Sequence, residues 1–150
     1  MIPTPNERTL EARMAPGALV QEGFLGTDPR RLGDILADDD AAVCRLNTTH
    51  AALAARLAAV ADAATAGLGT TVSVGEGLTA TYHEAMGYLP CPWGGCGPFG
   101  KGDIELADAR TGRRLRFTSL SVHLIAAHGF YQGRGSRYRL EPEELARLFA

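Results

Sequence analysis

Two cysteines and two histidines close off a 38-residue stretch that begins Cys91-Pro92-Trp93-Gly94-Gly95-Cys96-Gly97 and ends His123-Leu124-Ile125-Ala126-Ala127-His128. Thiolate sulfur and imidazole nitrogen are the donors that Zn2+ prefers, and four of them converging at about 2.0–2.3 Å complete a closed tetrahedral site. A tight turn can aim two sulfurs the same way, and Pro92, Gly94, Gly95 and Gly97 give the backbone around Cys91 and Cys96 that freedom. A helix can supply the two imidazoles. Residues five apart on a regular helix lie about 140° apart around its axis. The spacing of His123 and His128 therefore predicts that the last turn tightens or unwinds, with Gly129 as the residue that permits it. Trp93 and Phe99 are expected to pack over the site.

The elements that must position these donors can be read from periodicity. Asp103-Ile104-Glu105-Leu106-Ala107 alternates as a strand, Arg110-Thr111-Gly112 turns, and Arg113-Arg114-Leu115-Arg116-Phe117 returns. Ile104, Leu106, Leu115 and Phe117 share one face, which leaves Arg114 and Arg116 on the other. Thr118 or Ser119 caps the next helix, whose apolar stripe is Leu120, Leu124 and Ala127, with Gly129 as its stop. Upstream, Thr70–Val74 and Leu78–Tyr82 also alternate, with Gly75-Glu76-Gly77 as the turn of a first hairpin. Asn47-Thr48-Thr49 opens an alanine-rich helix through Ala66, which Gly67 and Gly69 end. Asp28, followed by Pro29, is expected to cap a helix carrying Leu32, Ile35 and Leu36. Asp38-Asp39-Asp40 is expected to be a joint between two short helices. Glu141-Pro142 opens a final helix with Leu145, Leu148 and Phe149.

The stretch resembles a zinc finger of the two-cysteine, two-histidine type in the order of its parts: the Cys-x4-Cys pair, a hairpin, and the Leu120-x2-His123-x4-His128 helix. The Cys91-Pro92 opening and Cys96-Gly97 close also resemble a zinc knuckle of the treble-clef kind. The interval between Cys96 and His123 is 26 residues, where such fingers have about 12, and the hairpin follows the cysteines instead of carrying them. The resemblance therefore implies zinc ligation by Cys91, Cys96, His123 and His128, and not DNA reading by the helix.

Other chemistry was weighed on the same residues. His83-Glu84 ahead of Pro90-Cys91 is similar to the zinc-deaminase signature, but His and Glu are adjacent and the interval to Pro90 is too short. A catalytic zinc site needs an open position for water. If one histidine pointed away, Glu84 would be its candidate general base, and the protein would be a small zinc-dependent enzyme. Cys44 and His50 suggest no more than a buried cysteine beside an unrelated histidine. Arg110, Arg113, Arg114, Arg116, Arg134, Arg137 and Arg139 form a candidate phosphate-contacting face, with Tyr131 and Tyr138 among the later ones. The plain alternative pairs them with Asp103, Glu105 and Asp108.

Bulk properties frame these readings. At 150 residues and 45% hydrophobic the chain can bury an ordinary core, and 21% charged residues exclude a disordered composition. The net charge of -2 gives no whole-molecule pull toward nucleic acid, but it is unevenly spread. Residues 1–90 carry a net of -5 and residues 91–150 a net of +3. No secretory signal or membrane span is expected, and three cysteines do not suit a secreted disulfide framework. The expectation is a cytoplasmic α+β protein: an extended arm over 1–26, anchored by Leu19, Val20, Phe24 and Leu25, then one domain over 27–150. That domain has a helical N-terminal part, β-hairpins, and a zinc-finger-like knuckle, hairpin and helix unit at 91–129. Its expected role is a non-catalytic binding module for nucleic acid or a protein.

Overall fold

The computed structural model describes residues 5–150. The two expected hairpins form and join edge to edge. Strands β1 (Val72–Gly75), β2 (Leu78–His83), β5 (Asp103–Asp108) and β6 (Arg113–Thr118) make one antiparallel sheet in the order β1-β2-β5-β6. Ile104 pairs with Phe117 and Leu106 with Leu115, so the apolar residues share a face, as their alternation requires. That face buries against helix α3 (His50–Ala66) through Leu53, Leu57, Val60 and Ala64. Thr49 caps α3 by accepting from the Ala52 N–H, and Gly67 ends it. Helix α5 (Pro142–Leu148) closes the same core with Leu145 and Leu148. The result is a mixed α+β architecture.

Helix α2 (Leu32–Arg45) begins three residues later than Pro29 suggests, with Arg31 as its N-cap. Asp28 caps no helix. It accepts from the Arg30 side chain and from the backbone N–H groups of Arg30 and Arg134, which ties the entry of α2 to the chain's last loop. The triple aspartate is no joint either, because α2 runs straight through it. Each carboxylate meets its own partner outside the helix: Asp38 with Arg30, Asp39 with Arg139, and Asp40 with His50. With those partners, aspartate's usual pull toward breaking a helix is overcome. Cys44, expected buried, is exposed. It sits one position past Val43, and a 100° step carries it off the buried stripe of α2.

The N-terminal segment differs from an extended arm. Residues Pro5–Met14 form helix α1, and Met14 is fully buried. The first four residues of the expected arm, Pro3 among them, lie outside the described ones. Phe24 is buried, Val20 and Leu25 are partly so, and Leu19 stays largely exposed. Residues 24–27 then run beside the last loop, with Gly133 N–H donating to Phe24 O and Thr27 N–H to Arg134 O. Among the described residues no helix is long and apolar enough to cross a membrane.

Candidate metal centre

The cysteines are carried on a hairpin of their own. Strands β3 (Tyr88–Leu89) and β4 (Phe99–Gly100) pair antiparallel, Leu89 opposite Phe99, and the loop between them holds both thiols. Sequence reasoning placed the only hairpin of this unit after the cysteines, because two-residue strands leave no periodicity to read. Inside the loop the Gly94 N–H donates to Cys91 O at 2.9 Å, and the Cys96 thiol donates to Gly94 O at 3.2 Å. Gly94 holds φ 81°, a conformation that a residue with Cβ adopts only with strain. Arg13 of α1 donates to Pro92 O at 3.0 Å and pins the loop from the other side.

Helix α4 (Ser119–His128) brings the histidines. Thr118 caps it in a reciprocal box with Ser121, and Gly129 ends it in the left-handed region at φ 60°. Leu120, Leu124 and Ile125 are its buried residues, while Ala127, expected on the apolar stripe, is exposed. The expected distortion before His128 is also missing, since α4 remains α-helical to its last residue. The side chains supply the convergence instead. Trp93 stacks on His128 with ring centroids 4.0 Å apart and planes 5° from parallel, and Phe99 stacks on His123 at 4.7 Å. Held between these aromatic walls, the two imidazoles swing toward each other until their centroids are 5.4 Å apart.

One donor atom from each of Cys91, Cys96, His123 and His128 therefore falls within 4.8 Å of all the others. Cys91 Sγ lies 3.6 Å from His128 Nε2. A tetrahedron with Zn–S of about 2.3 Å and Zn–N of about 2.0 Å has an S···N edge of about 3.5 Å. His123 Nε2 is buried and has no hydrogen-bond partner, an unmet group of the kind that a bound cation satisfies. Cys91 and Cys96 are both free thiols. Burial, helped by the neighbouring Cys96, pushes the Cys91 thiol up. Burial, helped by His123, pushes the His128 imidazole down. Both shifts favour the uncharged forms of Cys91 and His128, and a divalent ion would compensate the loss of a thiol proton. An S2N2 donor set is one that zinc favours.

The other site candidates fall elsewhere. Glu84 is exposed on the loop between β2 and β3, and no carboxylate belongs to the four-residue group. His50 bonds to Asp40 Oδ1 at 3.0 Å and to Tyr131 Oη at 2.9 Å, and Cys44 is exposed. Each of the seven arginines faces an acid: Arg110 meets Asp108, Arg113 meets Glu144, Arg114 and Arg116 meet Glu105, Arg134 meets Glu141, Arg137 meets Asp103, and Arg139 meets Asp39. The last pair is buried, with contacts of 2.6 and 2.9 Å to the two Asp39 oxygens, and Arg139 also holds Glu141 and Gln132 O. Tyr131 is buried as well, so its ring has no open face for a base. No protein-family model, curated protein or solved structure matches this chain.

Proposed function

We propose that the protein is a non-catalytic binding module held together by a structural zinc ion on Cys91, Cys96, His123 and His128. The convergence of four soft and borderline donors within 4.8 Å, between two aromatic rings, carries this reading. The ion would sit against an apolar cluster that contains Cys91 together with Met14, Phe24, Leu32, Leu120, Leu124 and Phe130. There it would supply cohesion that two-residue strands and a glycine-rich loop cannot. Four protein donors fill a tetrahedron and leave no position for water, and no carboxylate stands in the group to act as base, which favours structure over catalysis.

A finger-like or knuckle-like unit often serves nucleic acid, but the acid-paired arginines support that role poorly here. A carboxylate beside each guanidinium would repel a phosphate and offset part of the guanidinium's attraction. The reading favours a partner recognised by shape and short-range polar contacts. Metal analysis of the purified protein tests it: about one zinc per chain is expected, lost on replacing Cys91 or His128 with alanine and unaffected by Glu84→Gln. Metal-free protein with a reducible Cys91–Cys96 bond would overturn it.

A further inference from the structure

A second polar site lies on the outer face of the sheet, beside the metal centre but sharing none of its four donors. Residues 19–24 and 132–138 meet the start of β5 and the end of β6 there, enclosing a cavity of about 360 Å3. That is within the range of small-molecule sites. Asp103 lines it, is only 6% exposed, and stands on the strand face opposite Ile104. Tyr138 Oη donates to its Oδ2 at 3.1 Å, with Arg116 Nη1 at 3.5 Å and Arg137 Nη2 at 3.8 Å. Its Oδ1 is buried with no partner. Gln132, 4% exposed, lines the same cavity. Its Oε1 accepts from Ser136 Oγ at 2.6 Å.

Asp103 thus brings a buried, unmet acceptor to the cavity wall, with the Gln132 amide lining the same cavity. Polar groups buried without partners cost free energy, and a structure keeps them where something else completes them. Gln132 also holds φ 68°, the left-handed region that non-glycine residues seldom occupy, and such strain concentrates at binding sites. The charged lining is balanced, with Lys101 and Arg137 against Asp103 and Glu22. A ligand of one sign would leave one pair opposed, whereas a zwitterion uses both. Leu19, Val20 and Phe24 supply the apolar side of the same cavity.

We propose that this cavity binds a free α-amino acid with an apolar side chain, its ammonium on the Asp103 carboxylate and its carboxylate against Gln132 and Arg137. The apolar side chain lies over Leu19, Val20 and Phe24. The proposal deepens the reading of the protein as a binding module. It rests on that reading in one respect: β3 and α4, which the zinc would lock, bring Leu89 and Leu120 to the wall.

The test is an amide-resolved NMR titration of the full chain, zinc content measured on every sample, with L-leucine at up to roughly millimolar concentration. Isoamylamine and 4-methylvalerate serve as the amine-only and acid-only arms. Saturable shifts at Asp103, Gln132 and Tyr138 with leucine alone are expected. Asp103→Asn should weaken them by about tenfold or more, the loss of one charge-assisted contact. Arg137→Gln, at a half-exposed side chain, should weaken them without disturbing the fold, should Asp103→Asn fail to fold. No saturable shift, equal response to either single-charge analogue, or an Arg137→Gln protein that binds leucine as the wild type does would overturn the proposal. Failure to bind at full zinc occupancy condemns the amino-acid site and leaves the metal reading standing. Leucine binding by zinc-free protein does the reverse.

Discussion

Two apolar clusters sit side by side in this molecule and hold together by different means. The first joins α3, α5 and the four-stranded sheet through side chains such as Leu57, Phe117, Ile125 and Leu145. Its central strands β2 and β5 pair without interruption over six residues, and its helices present whole faces. The second joins α1, α2, α4 and the cysteine loop, and its only strands are two residues long. Apolar burial and backbone pairing suffice for the first. In the second, much of the area around Cys91 belongs to loop and to groups that are polar unless a cation binds them. On the proposed reading a metal would stand where chain geometry supplies converging donors but not enough secondary structure.

Withdrawing the ion should separate the two clusters most sharply. Structural zinc contributes about 10–16 kcal/mol of apparent binding free energy in isolated fingers. Chelation should therefore expose the amides of β3, β4 and the C-terminal half of α4 to rapid hydrogen exchange, while β2 and β5 stay protected. Uniform loss of protection would show that the clusters fold as one unit.

The seam between the clusters is the next largest effect. Arg139 spans it, joining Asp39 on α2 to Glu141 at the start of α5 with both partners of the Asp39 pair nearly inaccessible. Arg139→Met strands a buried carboxylate and should cost about 3–5 kcal/mol in a urea melt. Adding Asp39→Leu should recover most of that loss. A single substitution that melts like the wild type would remove the seam from the account.

Trp93→Ala strips the ring that stacks on His128. Zinc affinity should fall about 10–100-fold, as when outer partners of a ligand are removed, measured by competition with a chromophoric chelator. Stability of the zinc-free protein should change much less. The smallest effect concerns acid. Arg30's hydrogen bonds and charge hold the Asp28 carboxyl well below the usual carboxylate range. Its stabilising contribution is fully present above the unfolded value of about 3.9 and drains away as pH falls toward the lower folded value. Asp28→Asn should therefore lower stability at neutral pH and flatten its acid dependence below about pH 4. Parallel pH profiles for the two proteins would contradict that assignment.

The two clusters also differ in how far they could be read from sequence. In the first, alternation and turn residues mark β1, β2, β5 and β6, and alanine marks α3, because local preference and packing agree there. In the second, the donor residues were visible as types and spacing, but their scaffold was not. Helix α1 hides behind prolines, and β3 and β4 are too short for any period. The triple aspartate looks like a break because its partners, Arg30, Arg139 and His50, lie elsewhere in the chain. The swing of His123 and His128 toward each other depends on Phe99 and Trp93, a tertiary cause that a helical wheel omits. Asp103 gave no signal beyond an ordinary polar position, since an unmet buried atom exists only once the chain is folded.

X-ray absorption at the zinc edge of the purified protein tests the central claim most directly. The account predicts two sulfur neighbours at about 2.3 Å and two nitrogen neighbours at about 2.0 Å. An absent edge, or a shell of light atoms without sulfur, would contradict it.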